Sequence, residues 1–262
     1  MRSLFNFCLI SILTLSAFSV AAETPEQKGL RIATEAEKRN NGFVAEESDL
    51  EMILIDAYGS KITRKMKGMV LEVQGDGDKS LNIFLNPADV KGTKMLTWSH
   101  KDKDDKQWLY LPSLRRVKKI SSSNKSSSFM GSEFSYEDIG SQEVEKYSFK
   151  FLKDGKSKSG EEVYFVQRIP KSKSGYSKQI VQITKKDLSA VYIEYYDRKG
   201  ELLKIADIQD FKTYKVKGKS IRRASKIHMK NLQTKKESIF LWNNRKLGVK
   251  LKDNDFTKRA LK

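Results

Sequence analysis

The chain of 262 residues has one cysteine, two histidines and four prolines. Cys8 lies within the apolar run at the N-terminus, so the rest of the chain can form no disulfide, thiolate nucleophile or cysteine-based metal site. His100 and His228 form no HExxH pair. A GxSxG elbow and a phosphate-cradling glycine loop are also missing. The acidic stretches around Asp102, Asp104 and Asp105 and around Asp253, Asn254 and Asp255 lack the glycine and distal glutamate of a calcium loop, and read as solvated loops. Asn124-Lys125-Ser126 matches a glycosylation acceptor, which matters only in a eukaryotic secretory pathway. These absences argue against an enzyme and predict no catalytic residue, metal or cofactor. Beyond the first 22 residues, no run approaches the ~20 apolar residues of a membrane-spanning helix.

The N-terminus is the one strongly apolar segment. Arg2 precedes an apolar stretch over 4–20, and Ala21 and Ala22 follow. Charge, apolar middle and small residues read as a cleaved signal peptide over 1–22, with cleavage before Glu23. No cysteine stands at that point, so a soluble exported protein is expected rather than a lipoprotein. Residues 23–262 are then expected to form one β domain, and a monomer.

Charge is abundant and one-sided. Lys and Arg number 51 against 33 Asp and Glu, a formal net charge of +18. An exported protein rarely meets nucleic acid, so none is expected as a partner. An anionic membrane surface is one, at ~1 kcal/mol per basic residue near the surface. A charged surface that keeps the protein soluble accounts for the composition equally well.

Periodicity predicts mostly strands. One helix comes first, capped by Thr24, with Pro25 at its first position, Gln27 closing a capping box, and Asn40-Asn41-Gly42 as its stop. Its apolar stripe, Leu30, Ala33, Ala36 and less well Ile32, is thin and needs a surface to lie on. From Ser48 the period becomes two, with Leu50, Met52 and Leu54 on one face. Further strands are expected at 62–71, 81–85, 95–98, 108–111, 144–152, 162–169, 178–184, 190–196, 202–208, 220–229 and 237–242. Turn chemistry at Gly59, Gly75-Asp76-Gly77, Asp154-Gly155, Gly200 and Gly218 separates them. Asn254 is placed to cap a last short helix carrying Phe256, Ala260 and Leu261. About ten to twelve antiparallel strands with one apolar and one lysine-rich face predict a single curved sheet with one wet side. The helix, the C-terminal turn and 121–139 are its available covers, and three small covers on a wide sheet leave room for an apolar ligand.

The inward-facing set is expected to include Leu81, Ile83, Leu85, Trp98, Trp108, Tyr110, Val191 and Ile193. These side chains would pack a core or line a cavity, and a one-residue slip would send any strand's set to the other face. Residues 121–128 are mostly serine and read as a polar tether. Phe129, Met130, Phe134 and Tyr136 follow as its apolar load, either a lid that gates the open side or a plug in the core. Arg115 and Arg116 are either a solvated basic face or a contact for an anionic head group.

Two stretches are distinctive: DKQWLYLPSLRRVKKI at 105–120 and SFMGSEFSYEDI at 128–139. Together they resemble the bacterial outer membrane lipoprotein-sorting protein family, within the LolA/LolB superfamily. The turn at 87–94, the hairpin from Tyr195 to Lys204 and the close at 255–261 extend the likeness over nearly all of 23–262. The resemblance implies a half-open antiparallel β-barrel covered by short helices, with an apolar cavity between barrel and lid. It also implies a periplasmic carrier that takes up acyl chains of lipids or lipoproteins and moves them between the inner and outer membranes. The alternative is a non-enzymatic accessory protein of an inner-membrane export transporter that binds protein rather than lipid.

Overall fold

The structure is a computed structural model that describes residues 22–261. The expected signal peptide therefore lies outside the described residues, apart from Ala22.

Helix α1 (Pro25–Asn40) opens the fold. Its capping box is formed: the Gln27 amide donates to Thr24 Oγ1 at 3.2 Å, and the Thr24 amide to Gln27 Oε1 at 2.9 Å. The buried face is Gly29, Ile32 and Ala33, whereas Leu30 is exposed. Ile32, the weaker choice on pattern alone, is thus the anchor. The reason is Gly29, which meets the backbone of Lys150 and Phe151 so closely that a Cβ would sit 2.7 Å from the Phe151 nitrogen. Contact there rotates 29, 32, 33 and 36 inward together.

Thirteen strands follow: β1 (Ala45–Ile55), β2 (Lys61–Leu71), β3 (Lys79–Asn86), β4 (Lys94–Trp98), β5 (Lys106–Leu111), β6 (Arg116–Ile120), β7 (Tyr147–Lys156), β8 (Glu162–Pro170), β9 (Tyr176–Thr184), β10 (Ala190–Asp197), β11 (Leu202–Val216), β12 (Lys219–Asn231) and β13 (Glu237–Leu247). They form one antiparallel sheet in the order β6-β5-β4-β3-β2-β1-β13-β12-β11-β10-β9-β8-β7. Two meanders, β1–β6 and β7–β13, are therefore joined by pairing of the first strand with the last, Leu50 opposite Trp242. The free edges are β6 and β7, and 121–146 is the connection between them. The sheet stays open, as a half-open barrel should.

The strand missed by periodicity is β6. It is an edge strand whose Arg116, Lys118 and Lys119 are exposed and only Ile120 is buried. Such charge protects an unpaired edge and hides the strand from pattern reading. Asp154-Gly155, expected as a turn, continues β7 past a bulge beside Leu152.

The sheet is apolar on both faces along part of its width. One face carries the main core: Leu50, Met52, Met66, Phe84, Met95, Leu109, Val166, Val181, Ile193 and Phe240, among others. On the opposite face Leu81, Leu96 and Trp108 pack under Phe256 and Leu261 of the C-terminal segment. That segment forms two short 3-10 turns, Asp253–Phe256 and Lys258–Leu261. Trp98 Nε1 donates to the Phe256 carbonyl at 2.7 Å, Lys94 Nζ to the Ala260 carbonyl at 2.9 Å, and Lys79 pairs with Asp253.

Candidate functional site: a lidded apolar face

The connection between the edges covers half of the core face. It is not a loose tether. The Asn124 amide donates to the Ser121 carbonyl at 2.9 Å, the Tyr136 amide to Ser127 at 3.1 Å, and the Glu137 amide to Lys125 at 2.8 Å. Residues 128–135 close into a tight loop. Within it the Phe129 amide donates to the Phe134 carbonyl at 2.7 Å and Ser132 Oγ to the Phe129 carbonyl at 2.7 Å. Met130 and Gly131 turn the loop at φ 50° and 77°. The serines read as flexible because their hydrogen-bond partners are backbone groups elsewhere in the same connection, such as those of Asn124 and Tyr136, which composition does not reveal.

The loop drives Phe129 and Phe134 into the concavity. Phe129 is fully buried, with its ring centroid 6.0 Å from Phe84 and 5.7 Å from Tyr136. Phe134 meets Phe240 edge-on at 4.8 Å. Met130 and Tyr136 are partly buried against the same core. Helix α2 (Tyr136–Ile139) completes the lid, with Ser135 and Asp138 sharing a capping box.

Polar side chains from several strands fasten the lid's backbone. Arg64 of β2 donates to the Met130 carbonyl, and Gln107 of β5 to the Tyr136 carbonyl at 2.8 Å. Lys204 of β11 donates to the Glu133 carbonyl at 2.7 Å and pairs with Asp138 at 2.8 Å. Both charges are nearly sealed from water, with side chains 4% and 7% exposed. Tyr176 donates its hydroxyl to Asp138 at 2.9 Å, and Lys204 also lies 5.2 Å from the Tyr176 and Tyr195 rings. Burial and the Asp138 charge push both tyrosine hydroxyls above their ordinary pKa. Burial likewise raises Glu137, although Ser174 and the Gly175 amide hydrogen-bond it. Charged latches of this kind go unseen in a sequence, because Lys204 looks like any other lysine of a β-hairpin.

The other half of the core face lies under α1, and here space remains. A cleft of about 340 Å³ runs between α1 and β7–β10. Its floor is Phe149, Val166, Val181, Ile183, Leu188 and Ala190. Carboxylates rim it: Glu37 of α1, Glu72, Asp76 and Asp78 of the β2–β3 connection, and Glu143. Lys101 stands among Glu37, Glu143 and Glu145 at 3.8, 4.0 and 3.2 Å, filling the centre of that acidic group. A second cleft of about 490 Å³, bordered mainly by charged and polar residues, lies beyond 141–142, between the ends of β6 and β8.

The inward set expected from the sequence divides. Ile193 is buried in the core face, and Val191 sits half-buried at a β9–β10 bulge. Leu81, Ile83, Trp98, Trp108 and Tyr110 lie instead on the opposite face beneath the C-terminal segment. There Trp98 and Trp108 meet edge-on at 5.0 Å. Leu85, 43% exposed, occupies a bulge where Lys65 pairs with Asn86 and Met66 with Phe84. The correction is a one-residue slip in strand parity. Phe84, Met95 and Leu109 face the lid, and the two tryptophans misled because strands apolar on both faces carry no alternation to read. Arg115 and Arg116 are exposed at the β5–β6 turn, and neither lines either of these two clefts.

An open antiparallel sheet with a helix and an inserted connection over its core face is a LolA-like fold. A crystal structure of a LolA superfamily protein from Nitrosomonas europaea shares this fold at 18% identity and TM-score 0.70, over 88% of this chain and 98% of that one. The chain belongs to the outer membrane lipoprotein-sorting protein family. It is 45% identical to a domain of that description from Vibrio parahaemolyticus, over 90% of this chain and 99% of that one, with TM-score 0.87. A DUF1329 family protein from Desulfovibrio piger is 28% identical over 91% of this chain and 100% of that one, with TM-score 0.84. A family model described as "Uncharacterized protein" matches residues 76–262. The comparison with curated proteins gave no match.

Proposed function

We propose that this protein is a non-catalytic periplasmic carrier that shelters acyl chains of lipids or lipoproteins beneath α1 and the lid. The observation that carries the reading is the apolar floor left open beside a concavity filled by two aromatic rings of the connecting loop, Phe129 and Phe134. Each CH₂ withdrawn from water contributes ~0.8 kcal/mol. At about 340 Å³ the cleft is near the lower end of ligand pockets, about 300–1,000 Å³. A short chain segment fits the cleft as it stands, and a longer one needs the space of Phe129 and Phe134. Loading then competes with the lid for the same apolar surface. Uptake and release become a shift between lid-in and lid-out populations, with no cofactor or catalytic group required.

Delipidated protein is expected to bind a fluorescent fatty-acid analogue, and native mass spectrometry of protein from its own periplasm to show bound lipid. Absence of both would overturn the carrier reading. A second reading, an accessory protein of an envelope export transporter, draws support from the bare β6 edge with Arg115, Arg116, Lys118 and Lys119 beside it. Co-purification with a membrane complex, abolished by substituting those residues, would favour it.

A further inference from the structure

We propose that the cleft beneath α1 selects amphiphiles with a primary-amine head over carboxylate-headed chains of equal length. The inference rests on the carrier reading and names the head-group chemistry that reading leaves open.

The argument begins with a reversal of sign. The protein as a whole carries +18, yet five carboxylates border this cleft against three cations, Lys101, Arg168 and Arg223. All three cations have partners within the protein, and of the three Lys101 is the one that ion-pairs with the rim. Lys101 serves Glu37, Glu143 and Glu145. Arg168 donates Nε to Gln179 Oε1 and stacks 4.8 Å from the Tyr147 ring. Arg223 donates to the Asn40 side chain and carbonyl at 2.6 and 3.0 Å and stacks 5.0 Å from Phe43.

The carboxylates are less evenly served. Glu72 accepts the Gly42 and Val44 amides, the latter at 2.8 Å. Asp76 accepts the Lys101 amide at 2.9 Å and pairs with His100 Nδ1 at 2.7 Å. Among the described residues the Asp78 carboxylate accepts only the Val73 amide, at 3.2 Å, and makes no ion pair. Burial, reinforced by Glu143 and Glu72, pushes its carboxyl up to about 7, with Arg223 opposing. Burial also raises Glu143.

An apolar floor that ends at under-compensated carboxyl groups matches an alkyl chain that ends in an ammonium. The ammonium brings three donors and the charge that Asp78 lacks. A carboxylate head at the same depth meets like charge and brings no donor. The preference is opposite to what the net charge of +18 would impose, so non-specific attraction to the surface cannot imitate it. The ammonium has two natural sources, an aminophospholipid head group and a lysine beside a lipidated protein terminus.

The test uses delipidated full-length protein loaded with N-phenyl-1-naphthylamine and titrated at pH 7 with dodecylamine, dodecanol or dodecanoate below their micelle concentrations. Dodecylamine is expected to displace the probe at about tenfold lower concentration than dodecanoate. Asp78→Asn is expected to narrow that ratio to within about threefold, with Glu143→Gln as a second variant. Equal displacement by amine and carboxylate, or a ratio unmoved in both variants, overturns the inference. If dodecanol displaces the probe and the amine has no advantage, only this inference fails. If none of the three displaces it, the carrier reading fails as well. Lyso-phosphatidylethanolamine and a palmitoylated peptide with one lysine, each against its N-acetylated form, separate the sources. The one with an Asp78-dependent advantage is the source, and an advantage with neither overturns the inference.

Discussion

Phe129→Ala removes the ring that fills the centre of the concavity. Phe129 is fully buried, between Phe84 and Tyr136. Truncating a buried phenylalanine costs about 3–5 kcal/mol, from lost transfer energy and the cavity left behind. The lower end applies here, because a short loop closes more easily over a void than a strand does. A loss of about 3 kcal/mol in a domain of this size lowers Tm by about 6–12 °C. Urea unfolding followed by tryptophan fluorescence checks the free energy, and a thermal scan checks the shift. A further expectation separates plug from gate. An apolar probe that occupies the vacated space restores stability as RT ln(1 + [L]/Kd), about 2.7 kcal/mol at a hundredfold excess over Kd. A loss under about 1 kcal/mol would refute the reasoning, because the ring would then not belong to the folded core. Full destabilisation with no rescue by any apolar probe would make Phe129 a permanent plug and take the lid out of the loading cycle.

Other expectations follow from the same contacts. Asp78→Asn should stabilise the protein increasingly from pH 5 to pH 8: the folded carboxyl is raised to about 7 and the unfolded one titrates near 3.8, so unfolding releases a proton between those values and stability falls as pH rises. The ceiling is about 4 kcal/mol at ~1.4 kcal/mol per tenfold change in proton affinity, and urea midpoints that do not depend on pH would contradict it. Lys204→Met should cost about 3–5 kcal/mol by stranding Asp138 unpaired, and adding Asp138→Asn should recover part of the loss. Gly29→Ala forces a Cβ into the β7 backbone and should cost about 1–3 kcal/mol. Hydrogen exchange should then quicken in α1 while β1 and β2 keep their protection. Phe256→Ala should lower Tm and shift the emission of Trp98 and Trp108 to the red as the C-terminal segment loosens, and an unchanged spectrum would count against that cover.

Much of the fold is readable in the chain because its rules are local. The Thr24–Gln27 capping box, the period-two runs at 50–54 and 190–196 and the glycine turns each follow from neighbours a few residues apart. The long-range pairing of β1 with β13 carries no such signal, since both strands alternate like any others. Parity in β3–β5 is lost for another reason: Met95 and Leu96 are both buried, one on each face, so nothing alternates. The cover that packs on the core face stands out in the chain as Phe129, Met130, Phe134 and Tyr136 against a serine background. Its fastenings at Arg64 and Lys204 do not, in a chain with 51 basic residues. A cavity for an apolar ligand was expected, but the acidic rim of the cleft beneath α1 was not, because its carboxylates come from α1 and from separate connections and meet only after the two meanders close.

The order of the strands also governs how the chain acquires its fold. The central pairing, β1 with β13, joins segments at opposite ends of the sequence. Until residues 237–247 are available, β1 is the unpaired border of the first meander, with the apolar side chains of Leu50 and Met52 uncovered. Closing so long a loop is entropically costly and slow, and exposed strand borders of this kind invite pairing between copies. The protein should therefore refold slowly and with a strong dependence on concentration, and a chain that stops short of β13 should aggregate rather than fold in part. A molecule made this way has its most vulnerable moment before its last strand arrives, which is when a holding chaperone would be most useful to it.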